Sequence, residues 1–192
     1  CGTGDLAFAL AASSPGARVV GLDFSQSMLE CAAEKAARFS THHAADGVLV
    51  PTFVAGDVLS LPFPDGHFSA VTVAFGVRNV PDLPRALAEM VRVTRAGGRV
   101  VCLEITTPPP GLGRRFHRVW FDHVVPLLGG LVAGDLSAYT YLPASVRSFP
   151  EPDALAALLA RAGLVDVRYR RFGFGIVALH VGTARGHVAP NG

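Results

Sequence analysis

Apolar runs of strand length and amphipathic runs of helix length alternate along most of this chain. A layered α/β domain with a mostly parallel sheet is the arrangement that buries both kinds of surface. Residues 19–24 form an apolar run with Asp23 near its end, and residues 50–55, 68–75 and 99–104 read as further strands. Between them, residues 5–12, 25–39 and 83–94 read as helices. In the last of these Leu83, Leu87, Met90 and Val91 share one face. Ser25 suits a helix N-cap, and residues 40–47 are polar enough for a loop. Gly2-Thr3-Gly4, Pro15-Gly16, the segment 61–66 and Ala96-Gly97-Gly98 carry turn chemistry.

The alternation breaks after the strand at 99–104. Pro108-Pro109-Pro110 stiffens a linker, residues 112–128 read as a helix with Pro126 near its end, and residues 129–143 read as loop. A helix over 152–162 stops at Gly163. Residues 165–172 and 175–183, joined by a turn at Gly173, read as an antiparallel hairpin. The pattern predicts one domain over 1–184 and a frayed tail over 185–192. Cys1 stands directly against a glycine turn of the kind that follows a strand, so the first strand of the sheet is expected upstream of it.

Composition narrows the functional classes. Half of the 192 residues are hydrophobic, 17% are charged and the net charge is +2, as suits a globular protein with a real core. No Lys/Arg run stands out beyond Arg114, Arg115 and Arg118, which argues against nucleic acid as a partner. Cys1, Cys31 and Cys102 form no CxxC pair and read as reduced thiols of a cytoplasmic protein. No stretch is apolar for long enough to span a bilayer. His42, His43 and His67 fall in polar segments read as loops, without metal spacing to any cysteine, so no metal site is expected. His117, His123 and His180 fall in apolar segments, where a histidine is more often a core residue than a catalyst.

Four places carry chemistry. Gly2 and Gly4 let a backbone turn approach a ligand, and the helix that follows offers free N–H groups to an anion. With Ala7 they also satisfy the GxGxxA form of a dinucleotide fingerprint. Asp23 ends the next strand and can accept hydrogen bonds from both ribose hydroxyls of a nucleoside; its plainer role is an acid at a helix N-terminus before Ser25. Asp57 follows the strand after that, where its carboxylate and the Val58 N–H can read an adenine edge; its plainer role is a turn residue after Gly56. In Phe75-Gly76-Val77-Arg78-Asn79, Gly76 leaves room for a ligand while Arg78 and Asn79 add polar groups; the plainer reading pairs Arg78 with an acid and puts Asn79 in a turn. Carboxyl ends of parallel strands open onto one crevice, so candidates at successive strand ends reinforce one another.

These residues resemble a known family. Cys1-Gly2-Thr3-Gly4-Asp5 resembles the first motif of class I methyltransferases, whose fold is Rossmann-like. Val73-Ala74-Phe75-Gly76-Val77-Arg78-Asn79 is similar to the SFGxRN segment of the menaquinone and ubiquinone biosynthesis C-methyltransferases, which carry Ser at the position of Ala74. Arg92-Val93-Thr94-Arg95-Ala96-Gly97-Gly98-Arg99, followed by Glu104, resembles their RVLKPGG…E signature, with Thr94 and Ala96 as departures. The segments at 123–126, 139–147 and 175–182 match as well, so the resemblance runs to about Thr183. The family's YDxMN segment has no counterpart here.

The resemblance implies S-adenosylmethionine as methyl donor, contacted by Gly2, Thr3, Gly4, Asp23, Asp57, Val58 and the Ala74 position. It implies a prenylated quinol, foremost demethylmenaquinol, as acceptor at a ring carbon, positioned or activated by Arg78, Asn79, Tyr139, Tyr141 and His123. An isoprenoid tail implies peripheral contact with a membrane surface, which the apolar helix carrying Phe116, Trp120, Phe121, Val124 and Val125 could serve if it is not simply core. A homo-oligomer is compatible with all of this. Three alternatives stay open: a methyltransferase of another small aromatic molecule, a nicotinamide-binding oxidoreductase domain suggested by GxGxxA with Asp23, and a non-catalytic paralogue.

Overall fold

The computed structural model describes residues 1–42, 47–108 and 148–185. The chain divides into two compact units, Cys1–Pro64 and Asp65–Gly192.

In the first unit, α1 (Asp5–Ser13) starts on Gly4, whose φ of 84° is the left-handed state that glycine tolerates. Strand β1 (Val20–Asp23) leads into α2 (Gln26–His42), and β2 (Thr52–Ala55) pairs with β1 in parallel, Asp23 opposite Ala55. The core is aromatic. The ring of Phe8 on α1 lies 5.0 Å from that of Phe39 on α2 and 5.5 Å from that of Phe53 on β2. Helix α2 is longer than the sequence suggests: residues 40–42 continue it, so His42 ends a helix and does not lie in a loop. Ser and Thr hydroxyls at its end are accommodated because they bond to the preceding turn, as Thr41 Oγ1 does to the Ala37 carbonyl at 3.1 Å.

The second unit holds a four-stranded sheet in the order β3-β4-β6-β5. Strand β3 (Phe68–Ala74) pairs in parallel with β4 (Thr94–Ile105). Strands β5 (Leu164–Phe172) and β6 (Val177–Ala184) form the antiparallel hairpin, and β6 also runs antiparallel to β4. The architecture is therefore mixed α/β with parallel pairs and a C-terminal antiparallel hairpin, as the sequence predicts.

Details differ from expectation for local reasons. The turn at Ala96-Gly97-Gly98 lies inside β4, because Phe68 pairs with Thr94 while Ala70 pairs with Arg99, leaving residues 95–98 to loop out. Gly97 takes φ 73° there. Strand β3 is half-exposed, with Ser69, Ala70 and Thr72 open; among the described residues β4 is the strand that pairs with it. The hairpin turn is a 3-10 turn at Gly173–Gly175, so β6 starts at Val177.

Asp82 caps α3 (Leu83–Arg92) by accepting from the Arg85 N–H at 3.0 Å, and that helix buries Ala86, Leu87 and Met90. Leu155 and Leu159 of α4 (Pro152–Arg161) are buried as well. Val100, Cys102 and Glu104 alternate on the buried side of β4, with Cys102 opposite His180 and Glu104 opposite Ala178. Cys102 and His180 are thus core residues. His180 Nε2 lies 2.9 Å from the Pro152 carbonyl oxygen. Burial, together with the charge of Glu104, pushes the Cys102 thiol up to about 12. Among the described residues no helix is long and apolar enough to cross a membrane.

Candidate functional site

Within the first unit, the glycine turn and the end of β1 are tied together. The Gly2 N–H donates to Asp23 Oδ2 at 2.7 Å, and the Cys1 nitrogen lies 2.8 Å from the same oxygen and 2.7 Å from the Leu22 carbonyl oxygen. Asp23 Oδ1 accepts from the Ser25 N–H at 3.0 Å. Burial opposes ionisation of the Asp23 carboxyl, and the hydrogen bonds from the Ser25 and Gly2 N–H groups favour it. A carboxylate has about four lone-pair sites, and three bonds are accounted for here. Acceptor capacity remains on an ionised group at a strand end.

The two glycines of the turn do different things. A Cβ on Gly4 would lie 2.8 Å from Phe53 and 2.9 Å from Phe8, so Gly4 makes room for this unit's own core. A Cβ on Gly2 would meet nothing within 4 Å, which leaves open space in front of that backbone. Thr3 Oγ1 donates to Asp5 Oδ2 at 2.7 Å and accepts from Lys35 Nζ at 2.8 Å. Lys35 reaches the turn from α2, a contact that no local sequence pattern signals.

Asp57 follows β2 at the carboxyl end shared with Asp23, since the Gly56 N–H bonds to the Asp23 carbonyl at 3.0 Å. Asp57 Oδ1 accepts from the Leu59 N–H at 2.9 Å, and Val58 is half-buried beside it. Asp57 is exposed, so both its turn role and a role toward a ligand remain compatible with its placement. An ionised acid with spare lone pairs, an open glycine and a second acid at the same strand edge fit a nucleoside with hydroxyl and amine donors.

Within the second unit, β3 ends at Ala74 and the chain turns sharply. Phe75 takes φ 56°, a left-handed state unusual for a bulky side chain, and its N–H bonds to the Leu103 carbonyl at 2.9 Å. Val77–Asn79 forms a 3-10 turn in which the Asn79 N–H bonds to the Gly76 carbonyl at 3.1 Å. A Cβ on Gly76 would meet Val73 at 3.4 Å, an ordinary contact, so the glycine is not demanded by packing.

Arg78 is paired with an acid, as the plainer reading holds. Its Nη1 lies 2.7 Å from Oε1 of Glu104, with 12% of the Arg78 side chain and 1% of Glu104 exposed. Nη1 also donates to the Phe75 carbonyl at 2.5 Å, and the Arg78 N–H donates to Glu104 Oε2 at 3.3 Å. Among the described residues, the buried Nε of Arg78 has no hydrogen-bond partner. Asn79 is exposed next to it. The sequence reading placed Glu104 in a signature but gave it no role. The available signal was an acid at the end of an otherwise apolar strand, since a buried carboxylate requires a partner. Tyr139, Tyr141 and His123, with the whole expected helix over 112–128, lie outside the described residues.

Comparison with known proteins decides the family. The model of the ubiE/COQ5 methyltransferase family matches residues 1–184. The chain belongs to that family. It is 50% identical over 181 residues to a demethylmenaquinone methyltransferase of Thermus thermophilus, covering 94% of this chain and 78% of the relative. It is 45% identical over 184 residues to a ubiquinone/menaquinone biosynthesis C-methyltransferase of Methylobacterium nodulans, covering 94% of this chain and 69% of the relative. A crystal structure of an S-adenosylmethionine-dependent methyltransferase from Thermotoga maritima superposes with a TM-score of 0.61 at 18% identity, over 96% of this chain and 78% of that one; it shares the fold. This family member is an S-adenosylmethionine-dependent methyltransferase, and the oxidoreductase and non-catalytic alternatives are set aside.

Proposed function

We propose that this methyltransferase acts on a ring carbon of a reduced prenylated naphthoquinol, converting demethylmenaquinol to menaquinol. The observation that carries this reading is the 50% identity, over 94% of the chain, to a protein named demethylmenaquinone methyltransferase. When bound, S-adenosylmethionine supplies a methyl group on a sulfonium, already a good leaving group. The remaining task of the protein is alignment, which can supply roughly 7–11 kcal/mol.

We assign donor recognition to Gly2, Thr3, Gly4, Asp23, Asp57, Val58 and Ala74. Asp23 meets the ribose hydroxyls with its remaining acceptor capacity, and Asp57 with the Val58 N–H meets the adenine edge. We assign orientation of the quinol to Arg78 and Asn79, with Tyr139, Tyr141 and His123 as further candidates. The acceptor becomes nucleophilic when its hydroxyl loses a proton and pushes electron density onto the neighbouring ring carbon. A guanidinium beside that oxygen stabilises the anion, and the Arg78 side chain is 12% exposed at the end of β3. The new C–C bond forms at the ring carbon as the C–S bond breaks, and the ring proton then leaves to restore aromaticity. The isoprenoid tail of such an acceptor supports a peripheral encounter with the inner face of the membrane.

The test is turnover of demethylmenaquinol with and without dithionite. Methylation of the reduced ring alone is expected, because the oxidised ring is electron-poor and has no hydroxyl to ionise. Equal turnover of quinone and quinol would refute the mechanism.

A further inference from the structure

We infer that Glu104 is a positioning residue for methyl transfer, fixing the guanidinium and the backbone amide of Arg78 with a single buried carboxylate. The inference rests on the reading above that Arg78 faces the quinol. Oε1 of Glu104 takes the Arg78 Nη1 at 2.7 Å and the Ile105 N–H at 2.9 Å, while Oε2 takes the Arg78 N–H at 3.3 Å. Nη1 is held from a second side by the Phe75 carbonyl at 2.5 Å. The guanidinium is therefore clamped between the end of β4 and a strained residue at the end of β3, where Phe75 takes φ 56°.

Stability alone is a poor explanation for this arrangement. Desolvating two charges offsets most of their attraction, and an apolar pair of similar volume is often as stable. A fixed ion pair supplies something an apolar pair cannot, a cation in one orientation. Glu104 is paired in register with Ala178, one pair before the end of the β4–β6 ladder, which holds its backbone in place. The carboxylate accepts from Nη1 and from the Arg78 N–H, so it fixes both the side chain and the backbone of that residue. The partner of a guanidinium held in one orientation is an anionic or carbonyl oxygen, and the ionised ring hydroxyl of the quinol is of that class.

Glu104→Gln tests this in the complete enzyme, with reduced demethylmenaquinol as substrate. The variant removes a negative charge, so a carboxylate acting through its charge alone would leave the site more positive and move the acid limb of the kcat–pH profile to lower pH. Positioning predicts the opposite: kcat falls about 100-fold, the acid limb moves to higher pH, and S-adenosylhomocysteine affinity by calorimetry is unchanged. In an Arg78→Lys background, which has already lost the fork, Glu104→Gln should lower kcat much less than it does in the wild type. Glu104→Asp, which keeps the charge but withdraws it by one methylene, should move the limb in the same direction with a smaller loss; it stands in if Glu104→Gln does not fold. An unmoved or lowered acid limb, or full additivity with Arg78→Lys, overturns the role of Glu104. Wild-type kcat in Arg78→Lys together with Arg78→Met would instead overturn the assignment of Arg78 to the substrate.

Discussion

The Gly2 N–H lies 2.7 Å from Asp23 Oδ2, so a turn at the start of the chain is bonded directly to the end of the next strand. That bond, with the one from the Ser25 N–H, favours the ionised form of the Asp23 carboxylate, which the proposed function assigns to the ribose hydroxyls. Asp23→Ala is expected to abolish S-adenosylhomocysteine binding detectable by calorimetry while circular dichroism shows the fold retained. Each ribose hydroxyl left unpaired removes about 1–3 kcal/mol. Unchanged affinity would sink the ribose assignment.

Gly2→Ala and Gly4→Ala should separate two uses of glycine in one turn. Both positions have positive φ, 56° and 84°, so each variant carries backbone strain of about 1–2 kcal/mol. At Gly4 the new methyl also meets ring carbons of Phe53 and Phe8 at under 3 Å, and overpacking of that kind costs about 1–3 kcal/mol more. Gly4→Ala is therefore expected to lower Tm clearly more than Gly2→Ala. Gly2→Ala, which intrudes on open space, should weaken cofactor binding more than its modest change in Tm would suggest. Equal Tm losses would show that the Phe8–Phe53 contact does not constrain the turn.

His180 makes stability depend on pH. Burial lowers its pKa; the bond to the Pro152 carbonyl and the charge of Asp153 oppose the shift, and Arg171 adds to it. The ring also packs 5.0 Å from Tyr169, whose hydroxyl donates to Asp153 at 2.8 Å, and pairs in register with Cys102. Because the folded pKa is the lower one, the unfolded chain binds more protons in acid. The stabilisation is complete above the unfolded value of about 6.5 and is lost as pH falls below it toward the folded value. Tm should fall between about pH 7 and about pH 5, and less steeply in His180→Gln, whose amide nitrogen can still donate to the Pro152 carbonyl. Parallel slopes for the two proteins would remove His180 as the cause.

Much of the architecture could be read from periodicity, because strand and helix patterns bury different faces and leave few ways to layer them. The hairpin was legible from two alternating runs around Gly173, and α3 from its apolar stripe. Boundaries were less legible. The glycines at 97–98 signal a turn, yet the pairing of Phe68 with Thr94 extends β4 across them, and a pairing partner cannot be read from the strand it pairs with.

Of the candidate site, sequence by itself determined the residue types and their order: glycines at the first turn, acids after β1 and β2, and Arg78-Asn79 after β3. Those positions follow from local rules, since turns select glycine and strand ends tolerate polar groups. The tertiary structure decided which partners they have. It divided the glycines into one that clears space for Phe8 and Phe53 and one that faces open space. It also gave Arg78 to Glu104, 26 positions away on a neighbouring strand. Side chains that far apart meet because two strands pair in one register, and the energy that selects the register comes from buried faces along the whole sheet, not from the two residues that use it.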